Sequence, residues 1–386
     1  MDTYLVGGAV RDRLLGLTVR ERDWVVVGAT TEEMLAAGYR QVGRDFPVFI
    51  HPESGDEYAL ARTERKSAPG YRGFVVHASP EVTLEEDLRR RDLTINAIAQ
   101  AADGTLIDPF GGTEDLRLGR LHHVSPAFVE DPVRVLRCAR FAAQFARQGF
   151  RVSHATQELM HQMVADGEVD ALTPERVWAE LARALVSAIP GRFFEVLQRC
   201  DALARVLPEI DTLLGPSPAS HDGDEAPPRA LRALARAVEL SDRPEIRFAA
   251  LVLGFGQADP VESLCDRLRT PNAFRDLGRL AARYHLAIRD ATNLAPEPLL
   301  KLLEELDAFR RPGRVADLAL AVQADDDSDL ATPYPPAERL ATAQATAAAV
   351  AASDLAATGL RGAAIGAELH ARRIATLAAL PRPDKP

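Results

Sequence analysis

Glu21 and Asp23 stand two residues apart in Arg20-Glu21-Arg22-Asp23-Trp24-Val25-Val26-Val27-Gly28, at the head of an apolar run that reads as a strand. A period of two puts both carboxylates on one face. Paired carboxylates offer hard oxygen ligands that suit Mg2+, and such a pair is what metal-assisted phosphoryl transfer needs. An exposed strand end with alternating charges has the same pattern. A second set lies upstream. Thr3–Val6 reads as a short buried strand, followed by Gly7-Gly8 and a helix over Ala9–Leu15 that stops at Gly16. Glycine lets the backbone approach a phosphate, a helix start favours an anion, and Arg11 on the first turn is within reach of the same group. Taken alone, a double glycine before a helix is equally a tight turn.

Two further stretches concentrate charge. Leu84–Gln100 begins as a charged helix and turns into an apolar strand, with Arg89, Arg90, Arg91 and Asp92 at the junction. Consecutive helical residues point in different directions, so at most one or two of the three arginines face one ligand. Asp92 and Asn96 suit a helix end or tight turn. Glu130–Phe141 opens another helix, with Pro132 at a permitted early position. Arg134, Arg137 and Arg140 recur every three residues on one face, with Asp131 three before the first. Such stripes are usually solvated, and Asp131 with Arg134 makes a local ion pair at that spacing.

The elements that must position these residues change character along the chain. Up to Asp108-Pro109-Phe110-Gly111-Gly112, short strands (Tyr39–Val42, Pro47–His51, Glu57–Ala61, Thr94–Gln100, Thr105–Ile107) alternate with short helices, among them Thr31–Ala37 capped at Thr30 or Thr31. Arg62–Pro80, rich in Arg, Gly, Ser and Pro, reads as a mobile loop. From Thr113 onward the pattern is helical, with breaks at Pro216–Pro228 and around Asp325–Asp329. At 386 residues the chain exceeds one core, and 47% hydrophobic with 26% charged residues is ordinary for a globular protein. No run of about 18 apolar residues suggests a membrane span, and the N-terminus lacks signal-peptide architecture. Cys138, Cys200 and Cys265 are odd in number and form no CxxC, which suits a reducing cytoplasm and argues against structural zinc. A net charge of −10 argues weakly against a polyanionic partner, since local basic faces outweigh the sum. Only Lys66, Lys301 and Lys385 are lysines; every other cation is arginine.

Together these pieces resemble the class II tRNA nucleotidyltransferases, the CCA-adding enzymes, in their bacterial multifunctional form. The resemblance runs nearly from end to end. It is carried by YLVGGAVRDRLLG (4–16), RERDWVVVG (20–28), VGRDFPVF (42–49), EYALARTERKS (57–67), RRRDLTINAIA (89–99), IDPFGG (107–112) and HVSPAFVEDPVRVLRCARFAA (123–143). It implies an α+β protein: a polymerase-beta-like nucleotidyltransferase head with a mixed sheet over 1–112, then an all-α neck that recognises the base (113–212), body (213–325) and tail (326–386). The implied activity is template-independent, Mg2+-dependent addition of C, C and A to the 3′ end of tRNA from CTP and ATP. By the same resemblance Glu21 and Asp23 hold the metal. Gly8, Arg11, Arg91, Arg137 and Arg140 bind the nucleotide. Asp131 and Arg134 match an EDxxR element that reads the incoming base. Cytosine N4 and adenine N6 are amino donors that a carboxylate accepts, whereas uracil and guanine present carbonyl oxygens there.

Two departures stand out. The family pair is usually Asp-x-Asp, and Glu21 moves one oxygen set out by a methylene, which Mg2+ is sensitive to. Multifunctional members also carry a His-Asp phosphohydrolase motif in the body, where this chain has Leu253-Gly254, with Gln257 at an expected lysine and His285 as a lone survivor expected on the surface. Rival readings are a bacterial poly(A) polymerase-like enzyme, disfavoured by the lack of a long basic C-terminal extension, and a tRNA-binding protein that has lost catalysis.

Overall fold

A computed structural model describes residues 1–42, 48–66, 74–215, 227–357 and 361–381. The sequence motif at 42–49 therefore lies partly, and the Pro216–Pro228 break mostly, outside the described residues. The chain divides into two units, Met1–Pro208 and Glu209–Pro386.

The first unit opens with β1 (Asp2–Val6), whose inward Leu5 and Val6 are buried. It continues through α1 (Gly8–Leu14), β2 (Asp23–Val27) and α2 (Thr31–Ala36) to β3 (Arg40–Val42), β4 (Val48–Ile50) and β5 (Glu57–Leu60). Helix α2 starts where Thr30 and Glu33 form a reciprocal capping box. A separate hairpin, β6 (Arg62–Lys66) with β7 (Phe74–Ala78), precedes α3 (Leu84–Arg89), capped likewise by Thr83 and Glu86. Strands β8 (Ala99–Gln100) and β9 (Leu106–Ile107) complete a seven-stranded sheet in the order β3-β4-β5-β2-β1-β8-β9. The sheet is mixed, because β2 and β5 run parallel and the other pairs antiparallel. Helices α4 (Gly112–Leu118), α5 (Val133–Gln144), α6 (His154–Ala165) and α7 (Pro174–Leu185) follow. The last packs on α5, and Val135 and Leu136 of α5 and Leu181 and Leu185 of α7 are fully buried.

Three expectations need correction here. The Arg62–Pro80 stretch is not one loop: its described parts pair in register from Arg62↔Ala78 to Lys66↔Phe74, while residues 67–73 lie outside the described set. The apolar run Thr94–Gln100 is a strand only at its end. Thr94–Asn96 form a 3-10 turn instead, held because Thr94 Oγ1 donates to buried Asp115 at 2.7 Å and Asn96 Nδ2 donates to Asp92 at 3.0 Å. Burial explains the apolar composition that suggested a strand, since Leu93, Ile95, Ala97 and Ile98 are all fully buried. Gly112 fits against this turn, where a Cβ would lie 2.2 Å from the Thr94 carbonyl oxygen. Finally, β2 begins at Asp23, so Glu21 stands just ahead of the strand and the period-two argument does not place it.

The second unit is helical throughout its described residues. Its core joins Arg229–Leu240, Pro244–Val252, Asn272–Arg289, Pro296–Glu305, Gly313–Ala324, Pro335–Ala348 and Ala363–Ala378. In Gly313–Ala324, Val315, Leu318, Ala321 and Val322 form a buried stripe at the 3-4 spacing. His285 is not a surface residue: it is buried, with Nδ1 3.0 Å from the Ala282 carbonyl oxygen. No helix among the described residues is long and apolar enough to cross a membrane.

Candidate active site

Every candidate named from the sequence lines one cleft of about 910 Å3 in the first unit: Gly8, Arg11, Glu21, Asp23, Arg91, Asp131, Arg134, Arg137 and Arg140. The glycine turn shapes its floor. Gly7 adopts φ 67°, a conformation that calls for glycine, and the Arg91 guanidinium end lies 2.9 Å from where a Cβ would stand. Arg11 is buried rather than projecting from its helix. Its Nη1 donates to Asn96 Oδ1 at 2.6 Å, its Nε donates to Asp12 at 2.8 Å, and its guanidinium lies 4.9 Å from the Phe145 ring centroid. Of the arginine triplet, Arg90 and Arg91 reach the cleft, while Arg89 turns to Glu85 and Phe110. Arg91 Nη2 donates to buried Asp87 at 3.2 Å, but its Nε is buried with no hydrogen-bond acceptor among the described residues.

The acidic edge comes from β2. Desolvation by the cleft walls raises the pKa of Asp23; Arg91 opposes this and Glu21 adds to it. Glu21 therefore acts on Asp23 electrostatically although it is not part of the strand. Glu57 also lines the cleft, and the parallel register sets it directly beside Asp23. The sequence reading missed it. Its signal was the alternation in Glu57-Tyr58-Ala59-Leu60, which places Glu57 and Ala59 on one face of β5, but only the pairing with β2 gives that face its meaning.

The basic wall is α5. The three-residue arginine stripe is not a solvated face, because Arg134 and Arg140 are buried and Arg137 is half-buried. Each guanidinium has fixed acceptors. Arg134 donates from Nη1 to the Ala127 carbonyl at 2.7 Å and from Nη2 to the Arg90 carbonyl at 2.6 Å. Arg137 Nε donates to Asp92 at 2.7 Å, and Arg140 Nε donates to Glu180 at 2.5 Å, its guanidinium lying 4.0 Å from the centroid of the Phe141 ring. Burial alone would push the Asp92 carboxyl up. The Arg137 guanidinium, with hydrogen bonds from Asn96 and the Leu93 N–H, outweighs it and holds Asp92 well below the usual carboxylate range.

Arg134 donates to those two backbone carbonyls, and the expected Asp131–Arg134 pair is not among the ion pairs seen between described residues. Asp131 is gripped instead by Arg176 of α7, whose Nη1 and Nη2 donate to Oδ1 and Oδ2 at 3.0 and 2.8 Å. Helix α7 thus faces α5 across the cleft with Arg176, Glu180 and Arg183, spaced four and three apart on one face. From the sequence this segment reads only as part of the helical pattern after Thr113, with no functional role. Among the described lining residues, nine arginines meet six carboxylates, so this lining is locally positive in a protein of net charge −10.

Such a cleft can hold a polyphosphate against guanidinium groups, place a divalent cation at two carboxylates, and present a carboxylate and an arginine to a flat hydrogen-bonding ring. Residues 3–122 match the poly A polymerase head domain, and residues 149–214 match the probable RNA and SrmB-binding site of polymerase A. The multifunctional CCA protein of Thioalkalivibrio sulfidiphilus is 56% identical over 400 residues, covering 98% of each chain. That of Alkalilimnicola ehrlichii is 53% identical over 411 residues, covering 100% of each. Among solved structures, a CCA-adding enzyme in apo form II superposes with a TM-score of 0.69 at 22% identity, over 99% of this chain and 89% of the other. The Thermotoga maritima CCA-adding enzyme complexed with tRNA gives 0.66 at 22% identity, over 99% and 88%. With more than half of all residues identical along nearly the full length of both chains, this protein belongs to the multifunctional CCA protein family.

Proposed function

We infer that the protein is a CCA tRNA nucleotidyltransferase: it adds C, C and A to the 3′ end of tRNA from CTP and ATP, releases pyrophosphate at each addition and uses no nucleic-acid template. The observation that carries this reading is the cleft itself, where an acidic strand edge and a buried arginine helix line one space. Solved CCA-adding enzymes are complexed with CTP and with ATP, in agreement with the reading.

The donor set fits Mg2+. Asp23 is a crowded carboxylate whose pKa is raised by desolvation and by the neighbouring Glu21, and a divalent cation would relieve both. Mg2+ takes one or two carboxylates and completes its shell with water and substrate phosphates, so a two-carboxylate site suffices. When bound there, Mg2+ supplies Lewis-acid stabilisation of charge on the phosphoryl oxygens. The chain's own residues do the rest. Gly8 lets the triphosphate approach the backbone, and Arg11 and Arg91 face its charge; the unmatched Nε of Arg91 is a donor such a ligand would satisfy. Arg137 and Arg140 are held rigidly enough by Asp92 and Glu180 to act as fixed positive charge rather than as flexible tethers. Asp131, as an acceptor, selects the amino groups of cytosine and adenine, and Arg134 donates to the adjacent ring acceptor. Against uracil or guanine, two acceptors would face each other, a mismatch of about 1–3 kcal/mol.

The His-Asp site of multifunctional relatives is proposed to be absent, and the phosphohydrolase activities with it. Leu253 is fully buried, a Cβ on Gly254 would lie 3.2 Å from Leu213, and neither Leu253 nor Gly254 offers a side-chain metal ligand.

Incubating the protein with Mg2+, labelled CTP or ATP, and tRNA lacking its 3′ end tests the main reading. Ordered addition that stops after three nucleotides is expected. A long A tail would favour a poly(A) polymerase, a reading kept open by the head-family match, and no incorporation would favour a tRNA binder.

A further inference from the structure

Helix α7 carries a function that the base-reading pair alone does not explain. Both oxygens of Asp131 accept from the Arg176 fork at 3.0 and 2.8 Å, and Oδ1 also accepts from the Val133 N–H at 3.2 Å. Arg134, the group expected to partner Asp131, donates from Nη1 and Nη2 to the carbonyls of Ala127 and Arg90. Arg176 and Asp131 both line the cleft, and their side chains are 23% and 21% exposed. A bidentate arginine fixes a carboxylate in plane and direction in a way that a single point charge does not. One turn further along, buried Glu180 does the corresponding job for Arg140 at 2.5 Å.

We propose that Arg176 is a specificity-determining positioning residue: its fork orients the Asp131 carboxylate so that the oxygen lone pairs it leaves open meet an amino group on the incoming base. The inference rests on the CCA-adding reading above. Oδ1 already accepts twice, but Oδ2 accepts from Arg176 Nη2 and has capacity for a second donor, so the fork and a base amino group share Asp131 at Oδ2 without displacement. With the fork removed, the carboxylate would rotate about its side-chain torsions. A rotated carboxylate no longer sets two acceptors against the carbonyl of uracil or guanine, so the wrong base loses its penalty while the right base loses its partner. The effect is therefore on choice of nucleotide and on its binding, and only secondarily on the chemical step.

The test compares kcat and KM for CTP, ATP, UTP and GTP on tRNA lacking its 3′ end, in full-length wild type, Arg176→Ala, Arg176→Lys, Asp131→Ala and the Arg176→Ala/Asp131→Ala double variant. Arg176→Ala is expected to narrow the preference for CTP over UTP by roughly tenfold, mostly through a higher KM for CTP. Arg176→Lys, which keeps the charge and loses the fork, recovers only part of that preference. In the Asp131→Ala background the Arg176 change should add nothing to the loss of discrimination, because the two act as one unit. If Arg176→Ala slows all four nucleotides equally and leaves their ratios intact, Arg176 merely ties α7 to α5 and the proposal fails. Should Arg176→Ala not fold, Arg176→Lys makes the same comparison, and unchanged discrimination there would overturn the proposal too. A wild-type protein that adds no nucleotide would overturn the functional reading first, so the two failures are told apart by the control.

Discussion

Asp23 holds its charge against its surroundings. Desolvation by the cleft walls, supplemented by Glu21, raises its pKa, so the folded state binds the proton more tightly than the unfolded chain does. The sign follows: above its folded pKa this carboxyl detracts from stability, and stability recovers as pH falls through that value toward the ordinary carboxylate range. Asp23→Asn is therefore expected to raise the melting temperature in metal-free buffer at pH 7, with the gain vanishing below about pH 4. Mg2+ should raise the melting temperature of the wild type and leave Asp23→Asn nearly unmoved; equal shifts in both would remove Asp23 from the metal site. Activity runs the other way. Asp23→Ala should lose about a thousandfold in kcat, the equivalent of ~4 kcal/mol of transition-state stabilisation, with tRNA binding intact. Glu21→Asp is expected to keep or raise activity, and a large loss would mean that the cleft is adapted to the longer side chain. These candidates were legible because their types are unusual for their places: acids heading an apolar strand, an acid heading an arginine stripe. Arg176, Glu180 and Glu57 were not, since each is an ordinary charged residue on an ordinary element until a neighbour across the cleft gives it a partner.

At the scale of elements, the joint between α3, the Thr94–Asn96 turn and α5 depends on one carboxylate. Asp92 accepts from Arg137 Nε, Asn96 Nδ2 and the Leu93 N–H, all within 3.0 Å, and is itself buried. Because its pKa is held down, its contribution to stability is present above the ordinary carboxylate range and is lost only as pH falls through its depressed folded value. Asp92→Ala would leave Arg137 half-buried without its acceptor and unpair the turn; a loss of about 3 kcal/mol is expected in denaturant unfolding. A loss under 1 kcal/mol would show that water replaces the carboxylate at little cost. Element types were largely readable here: the α2 and α3 capping boxes, the double-glycine turn and α5 itself follow from local patterns. The turn at Thr94–Asn96 was only half readable: Asp92 with Asn96 suits a tight turn, but the apolar run around them reads as a strand, and the Thr94 bond to Asp115 lies beyond any local window. The hairpin at Arg62–Lys66 and Phe74–Ala78 was hidden by a composition that resembles a loop.

For the molecule as a whole, net charge and local charge disagree in sign, and the local value governs ligand choice. Binding to tRNA should weaken steeply with salt despite the −10 total, as counterions are released from phosphates met by arginines. An affinity that hardly changes between 50 and 200 mM salt would count against direct backbone contacts (both concentrations being the range over which about 10^3-fold effects are typical). Added Ni2+, Co2+ or Mn2+ should bring no turnover of 2′,3′-cyclic nucleotides or p-nitrophenyl phosphate; metal-stimulated hydrolysis that survives purification would overturn the proposal that the body has lost this activity. One property of the cleft reaches past these tests. Among the described residues, every cation lining it is a guanidinium and no lysine does so. Guanidinium stays protonated well beyond neutrality, so the positive lining does not titrate over any ordinary assay range. Reagents directed at primary amines would find at most three lysine side chains and the N-terminus anywhere in the chain. Coupling the protein to an amine-reactive surface or dye should accordingly leave nucleotide addition intact, where arginine-directed dicarbonyls would abolish it and bound CTP would slow the loss.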